Sequence, residues 1–248
     1  MSFERLGAAG ARAPHEWLAE VRAAERAPED RPFVILNMVA TVDGRATIAG
    51  RTRALGSAAD TLLLTELRTL ADAVLVGSGT LRAEGYGRMV GDPDRVARRV
   101  AAGRAETPPA VLISRSFDLP WDAGLFAAAD QPVIVFSHAD APAPPAVAAR
   151  VDLVRLDAVS PGAALAELRA RGIRALLCEG GPTLNRSLLA GGLVDELFLT
   201  LVPQLAGDAA ALRIVEGDDL PAPAQLALEW VLRHDDELYL RYRVAHDG

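Results

Sequence analysis

The chain contains no lysine, and all 26 of its basic residues are arginine. This absence excludes Schiff-base catalysis, pyridoxal-phosphate chemistry and the Walker-A phosphate loop, because each depends on a lysine amine. The single cysteine, Cys178, is too little for an intramolecular disulfide or a cysteine-cluster zinc site. No G-x-S-x-G serine motif and no H-E-x-x-H zinc motif occurs, so we expect no metal.

Long apolar runs, basic runs and aromatic residues are also scarce. No segment reaches the ~18 consecutive apolar residues of a membrane span, and glutamate and arginine interrupt the first 31 residues, unlike a signal peptide. Aromatic residues make up 5% of the chain and the net charge is −7, which does not suit a nucleic-acid-binding surface. We therefore expect a cytoplasmic protein that binds neither membrane nor nucleic acid.

Apolar segments rich in β-branched residues alternate with amphipathic segments. This alternation predicts an α/β fold with a mixed, mainly parallel central sheet and antiparallel C-terminal edge strands. The predicted strands are 33–40, 73–77, 110–115, 132–136, 151–156, 174–179, a segment within 193–203 and a hairpin within 226–244. The predicted helices are 58–70, 81–84, 161–171 and 184–190. The polar, arginine-rich segment 92–106 is expected to be a surface excursion.

The chain is predicted to divide into a short extension and one domain. Residues 1–30 form the extension, with an amphipathic helix over 15–26, and residues 31–248 form the domain. The proline-rich segment 141–145 is expected to be a loop inside that domain, because the strands on both sides of it fit one sheet.

Two glycine-rich turns each follow a buried strand and precede a helix. One is Gly77-Ser78-Gly79-Thr80, and the other is Gly180-Gly181-Pro182-Thr183. Ligands of parallel sheets bind beyond the carboxyl ends of the strands, where glycine lets the backbone approach a phosphate. The two turns are therefore predicted to bind one dinucleotide together. The alternative is a pair of ordinary tight turns, because neither turn completes G-x-G-x-x-G.

Ser114-Arg115 ends the third predicted strand of the domain. A hydroxyl beside a guanidinium suits a 2′-phosphate and would select NADP over NAD. The alternative is a surface arginine beside a turn serine.

Three carboxylates lie at the ends of predicted elements. Asp43 follows the first strand of the domain, Asp60 lies in the first turn of a helix, and Glu179 closes an apolar strand. A turn residue and a dipole-favoured helix acid are the simple interpretations of Asp43 and Asp60. Glu179 must be paired or hydrated, and it could hold the amidine-like edge of a pyrimidine or pterin. Cys178 is expected to be a buried structural residue.

Together these motifs resemble the reductase domain of bifunctional riboflavin-biosynthesis proteins, which has a dihydrofolate-reductase-like fold. The resemblance covers about residues 31–244. The matching segments are Asn37 to Gly44 with Thr41-Val42-Asp43-Gly44, Leu67-Arg68, Ala71 to Thr80, Ser114-Arg115, Cys178 to Leu184 and Gly192 to Leu197.

The resemblance implies a three-layer α/β/α fold and NADPH-dependent reduction of the ribosyl group of 5-amino-6-(5-phosphoribosylamino)uracil. It also implies a homodimer. It places Asn37, Thr41, Asp43 and Glu179 toward the substrate. The residues that it assigns to NADP are Thr47, near the nicotinamide, Gly77, Ser78, Gly79, Thr80, Glu84, Ser114, Arg115, Gly180, Gly181, Pro182, Thr183 and Leu184.

The chain departs from the family pattern in three ways. Nothing in it could supply the zinc deaminase of the bifunctional proteins, so a stand-alone reductase is expected. Asn37 stands where the family often has lysine, and Asp60 resembles the helix acid by which dihydrofolate reductases hold the pterin ring. A pterin or dihydrofolate-like heterocycle is therefore the alternative substrate. A non-catalytic NADP-binding regulatory protein is the alternative of a different class.

Overall fold

Strands and helices alternate along the chain in the computed structural model, which describes residues 1–7, 10–142 and 144–245. The strands are β1 Phe3–Arg5, β2 Ala11–Arg12, β3 Phe33–Thr41, β4 Ala73–Leu75, β5 Ala110–Ile113, β6 Pro132–His138, β7 Arg150–Leu156, β8 Ala175–Cys178, β9 Glu196–Val202, β10 Leu226–His234 and β11 Glu237–Val244. The helices are α1 Pro14–Leu18, α2 Ala58–Leu70, α3 Ser78–Glu84, α4 Pro93–Ala101, α5 Gly124–Ala127, α6 Pro161–Ala170 and α7 Pro182–Ala190.

All of these strands join one sheet in the order β2-β1-β10-β11-β9-β3-β8-β4-β5-β6-β7. Neighbours from β9 to β7 pair in parallel, and β11, β10, β1 and β2 pair antiparallel. The carboxyl ends of the parallel strands therefore meet at one rim of the sheet, where ligands of open α/β sheets bind.

Side chains alternate between two cores, one on each face of the sheet. On β3, Phe33 and Ile35 pack with α2, whereas Val34 and Leu36 pack with α6 and α7. Because successive strand residues point to opposite faces, a continuous apolar run needs helices on both sides. The predicted three-layer α/β/α fold with a mixed sheet is confirmed. The C-terminal hairpin is antiparallel as predicted, but β1 and β2 lie outside it and form the edge.

The N-terminal segment differs from its prediction. The expected helix over 15–26 is interrupted, because α1 ends at Leu18 and two short 3₁₀ segments follow, separated by Arg22 at φ 49°. The unpredicted strand β1 pairs with β10. Arg26 and Arg31 form ion pairs with Glu196 and Asp195 at the start of β9. The boundary at residue 30 stays a prediction, while Ala143 of the predicted loop and residues 246–248 of the predicted domain lie outside the described residues.

The segment 92–106, expected as a surface excursion, is mostly exposed but contains the unpredicted helix α4. Asp92 caps the helix by accepting a hydrogen bond from the Arg95 amide. The helix packs on α2 through guanidinium groups, since Arg95 and Arg98 both pair with the buried Glu66. A search for apolar periodicity misses a helix whose contacts are ionic.

Arg99 of α4 satisfies the carboxyl end of α2. Its side chain is 1% exposed, and Nη1 donates hydrogen bonds to the carbonyl oxygens of Arg68, Thr69 and Ala71 at 2.9, 3.0 and 2.7 Å. Burial lowers the pKa of Arg99 to about 10. The final carbonyl groups of a helix have no amide partners within it. The Arg99 guanidinium supplies the hydrogen bonds that these carbonyl groups of α2 would otherwise lack.

Replacing Arg99 should destabilise the whole protein. Arg99→Ala leaves three buried carbonyl groups without this donor, and we expect a loss of about 3 kcal/mol or more in the free energy of unfolding. Urea denaturation measures the loss. Arg171→Ala, which removes exposed ion pairs with Asp152 and Glu167, is the control and should cost less than about 1 kcal/mol. Equal losses in the two variants would contradict the capping role.

Candidate functional site

The two glycine-rich turns meet at the rim of the sheet. Strands β4 and β8 are parallel neighbours, with Leu75 beside Cys178, and the amide of Gly77 donates a hydrogen bond to the carbonyl of Gly180 at 2.6 Å. A Cβ atom on Gly77 would lie 2.8 Å from the nitrogen of Gly181. The predicted meeting of the turns is confirmed, whereas their role as a cofactor site stays a prediction.

Both turns lead directly into helices and leave space above them. Gly77 is the N-cap residue of α3 and Gly181 that of α7, and no atom lies within 4 Å of a Cβ built on Gly79. Pro182, the first residue of α7, has no N–H group, so the first amides of the helix without acceptors inside it are those of the exposed Thr183 and the half-buried Leu184. An anion at this rim would meet free backbone donors.

Ser114 and Arg115 follow β5, the strand next to β4. Ser114 is buried, and its carbonyl accepts a hydrogen bond from the Ser137 hydroxyl at 2.7 Å. Arg115 is exposed. The sheet therefore fixes the backbone of this pair at the rim, with the Arg115 side chain open to solvent.

Glu179 forms a buried ion pair. Nε and Nη2 of Arg68 donate to its two carboxylate oxygens at 2.6 and 2.7 Å, and the Tyr86 hydroxyl donates at 2.8 Å. Burial and the charge of Glu179 raise the pKa of Tyr86 well above its usual value, so the hydroxyl keeps its proton. The prediction that Glu179 must be paired is confirmed. Both carboxylate oxygens are bonded within the protein, and a contact of Glu179 with the amidine-like edge of a heterocycle stays a prediction.

Asp43 holds a loop at the rim. Its carboxylate accepts hydrogen bonds from the Thr41 hydroxyl and from the amides of Ala206 and Gly207, at 3.1 and 2.8 Å for the two amides. These bonds, the one from Thr41 first, lower the pKa of Asp43 to about 2. The carboxylate therefore clamps the segment after β9 and carries no proton near neutral pH, while its contact with substrate stays a prediction.

Other predicted ligand residues also have partners within the protein. The buried Thr47 hydroxyl accepts from the Leu212 amide at 3.1 Å, and Glu84 accepts from the Thr52 amide at 2.6 Å. Cys178 is fully buried, and burial raises the pKa of its thiol to about 12, as a structural cysteine requires. The contacts of Thr47 and Glu84 with cofactor stay predictions.

Asp60 is a carboxylate at the rim whose pKa is raised toward neutrality. It lies in the first turn of α2, where Ser57 caps the helix by accepting hydrogen bonds from the amides of Ala59 and Asp60. Burial first, and then the charge of Glu237, raise the pKa of Asp60 to about 6, although a hydrogen bond with Thr200 lowers it. Asp60 can therefore exchange a proton near neutral pH, as a general acid must.

Asn37 lies on the same face of the sheet as α2. It is half-buried and borders a cavity of about 10 Å³ with Leu63, Thr200 and Trp230. This space suits a single water molecule. The side chains missed from the sequence are Arg68, Tyr86 and Thr200, since each meets its partner only through contacts distant in the chain.

Comparisons with known proteins point to one family. The family model for the RibD C-terminal domain matches residues 32–239. A 2,5-diamino-6-ribosylamino-4(3H)-pyrimidinone 5′-phosphate reductase of Methanothermobacter thermautotrophicus is 30% identical, over 86% of this chain and 99% of that protein. The chloroplastic riboflavin biosynthesis protein PYRR of Arabidopsis thaliana is 28% identical over 73% of this chain, which spans 29% of that relative.

Solved structures share the fold. A pyrimidine reductase-like protein of Corynebacterium diphtheriae superimposes with a TM-score of 0.79 at 24% identity, covering 95% of this chain and 100% of that one. The riboflavin biosynthesis reductase Rib7 of Saccharomyces cerevisiae gives 0.68 at 19% identity, with 93% and 98% coverage. Within the described ranges, no helix is long and apolar enough to cross a bilayer, and no three His, Cys, Asp or Glu side chains are grouped as metal ligands.

The contact between the two turns should depend on glycine at both positions. An alanine Cβ at position 181 would lie 2.7 Å from Oγ1 of Thr80, whereas one at position 77 would meet backbone. Gly77→Ala and Gly181→Ala should each cost about 1–3 kcal/mol of unfolding free energy. Adding Thr80→Ala should restore most of the loss in Gly181→Ala only. Thermal denaturation of the single and double variants measures this, and rescue of both glycine variants would argue against the packing described.

Proposed function

The chain belongs to the RibD C-terminal domain family, and from this premise we propose that it is an NADPH-dependent reductase of the riboflavin pathway. The substrate is 5-amino-6-(5-phosphoribosylamino)uracil, or the 2,5-diaminopyrimidinone phosphate named for the archaeal relative, and its ribosyl group becomes a ribityl group. The observation that carries the proposal is the direct contact between the turns at Gly77 and Gly180, at the carboxyl ends of neighbouring parallel strands.

The residues at the rim fit a nicotinamide dinucleotide. The turns offer backbone amides at the starts of α3 and α7, and the space over Gly79 is open. The exposed Arg115 beside Ser114 suits a 2′-phosphate, because a guanidinium binds phosphate oxygens with two parallel hydrogen bonds. When bound, NADPH supplies a hydride to the substrate carbon.

The substrate then lies at the rim, on the side of the sheet that α2 covers. Asn37 offers an amide on β3, and Arg68 and Tyr86 fix Glu179 beside the second glycine turn. In this arrangement Glu179 is a positioning residue, because its hydrogen bonds also hold the side chains of Arg68 and Tyr86 in place. Asp60 is the proton donor, since Asp43 is ionised and both oxygens of Glu179 are already bonded.

One observation favours a pterin-like heterocycle as the second candidate substrate. Asp60 projects from the helix over the sheet and is bonded to Thr200 of β9. A carboxyl group in that position can pair with the amidine-like edge of a pterin. The reaction class is the same, so substrate competition separates the two candidates.

We also propose that the protein is a homodimer formed through the antiparallel part of the sheet. Leu199, Leu240 and Val231 stand in register across β9, β11 and β10, and Leu226 and Leu228 at the outer end of the same hairpin are 44% and 55% exposed. A contiguous apolar sheet face of this kind is typical of an interface between subunits. A second copy of the chain offers the matching surface.

The activity is tested by following NADPH oxidation with each candidate substrate. We expect turnover with the ribosylaminopyrimidine phosphates and none with dihydrofolate. Asp60→Asn should lower kcat by about 100-fold or more, because general acids typically contribute about 10²–10⁴, while NADPH affinity measured by fluorescence stays unchanged.

Each other outcome identifies an alternative. Turnover of dihydrofolate alone would favour the pterin reductase. NADPH binding without turnover of either substrate, unaffected by Asp60→Asn or Glu179→Gln, would favour the non-catalytic regulatory protein. A chain that binds no NADPH would contradict the proposal as a whole.

Arg115 should select the phosphorylated cofactor. Arg115→Ala should raise KM for NADPH by about 10- to 100-fold, the value of one or two hydrogen bonds to a charged group, and leave KM for NADH nearly unchanged. Arg150→Ala, at an exposed arginine that starts β7 and bonds the carbonyl of Asp130, is the matched control. An equal increase in KM for NADPH and for NADH would show that the 2′-phosphate binds elsewhere.

A further inference from the structure

The C-terminal hairpin brings a second carboxylate to the beginning of α2. Glu237 starts β11, and its Oε2 accepts hydrogen bonds from the Ser57 hydroxyl at 2.6 Å and from the Tyr239 hydroxyl. The same Ser57 oxygen accepts a hydrogen bond from the Asp60 amide at 3.0 Å. Glu237 and Asp60 therefore belong to one hydrogen-bonded cluster, although they are far apart in the sequence.

The groups that face Asp60 come from three elements. Ser57 caps its own helix, Thr200 of β9 bonds its side chain, and Glu237 and Tyr239 of β11 interact with it electrostatically. The charged group in this set is Glu237, an anion. Asp60 is half-buried, and the backbone of Gly56 lies close to it, since a Cβ there would be 2.9 Å from Oδ2.

Two neighbouring carboxylates do not ionise with equal ease, because each negative charge opposes the other. Two hydroxyl donors stabilise the charge on Glu237, whereas burial disfavours the charge on Asp60. A proton shared within this cluster is therefore favoured on Asp60.

We propose that Glu237 is a positioning residue whose negative charge favours the protonated form of Asp60 and so prepares it to act as the acid in the reduction. This inference rests on the proposed function and adds the C-terminal hairpin to the site. Reduction of a carbonyl or imine adds a hydride, supplied by the reduced nicotinamide, to carbon. The electron pair of the double bond moves to oxygen or nitrogen, which takes the proton from the Asp60 carboxyl group. A water molecule then returns a proton to Asp60.

Glu237→Gln tests the inference, because it removes the charge and keeps an oxygen that can accept from Ser57 or Tyr239. The carboxyl carbon of Asp60 is titrated by NMR in the wild-type protein and in the variant, without cofactor or substrate. We expect the wild-type midpoint near pH 6 and a midpoint lower by about 0.5–1 pH unit in the variant. The alkaline limb of the kcat profile should move by the same amount, so that kcat falls about 3- to 10-fold above about pH 7.

Two companion variants separate charge from structure. Glu229→Gln removes an exposed carboxylate of the same hairpin, which pairs with Arg243 at 3.2 Å, and should change neither midpoint. Glu237→Asp keeps the charge and should restore most of the wild-type profile. Thermal denaturation of each variant establishes that it is folded, and Glu237→Asp tests the charge even if Glu237→Gln does not fold.

The outcomes also separate this inference from the proposed function. An Asp60 midpoint that is the same in the wild-type protein and in Glu237→Gln overturns the inference, whatever the activity. A shifted midpoint with an unmoved kcat profile overturns the role of Asp60 as the acid. A shifted midpoint in a chain that reduces no candidate substrate would overturn the proposed function and support the coupling of the two carboxylates.

Discussion

The contact between the two glycine turns is the constraint on which the arrangement of the site depends. The parallel pairing of β4 and β8 brings the amide of Gly77 within 2.6 Å of the carbonyl of Gly180. A side chain at Gly77 or Gly181 would occupy the space that the other turn fills. This approach sets where α3 and α7 begin, and hence which backbone amides face the rim. Packing therefore requires glycine at positions 77 and 181, whether or not a ligand binds.

Three carboxylates near this rim show how surroundings decide chemistry. Asp43 is exposed, accepts several hydrogen bonds and has a pKa of about 2, whereas Asp60 is shielded beside another acid and has a pKa of about 6. Glu179 is buried, yet Arg68 balances its charge with two hydrogen bonds. All three residues carry a carboxylate near the end of a strand or helix. The groups around each carboxylate therefore decide whether it can donate a proton near neutral pH.

The sequence was informative where the signal is local. The apolar runs predict β3 and β8, and the serine cap at Ser57 predicts the start of α2, which the structure confirms. The glycine turns could be assigned to one rim because parallel strands share a carboxyl edge. The partners of Glu179 and Asp60 could not be predicted, since Arg68, Tyr86 and Glu237 reach them across long stretches of chain. Helix α4 was missed because its contacts with α2 are ionic.

Helix α2 connects the stability of the fold to the proposed chemistry. Its first turn carries Asp60, its last turns carry Glu66 and Arg68, and Arg99 satisfies its final carbonyl groups. Guanidinium groups from α4 therefore fix the helix, while its own Arg68 holds Glu179 beside the glycine turns. Because one helix bears both Asp60 and Arg68, the distance between the proposed proton donor and the glycine rim is set by the packing of α2 on the sheet. Arginine rather than lysine makes all of these contacts, and each guanidinium binds a carboxylate or several carbonyl groups in a fixed geometry.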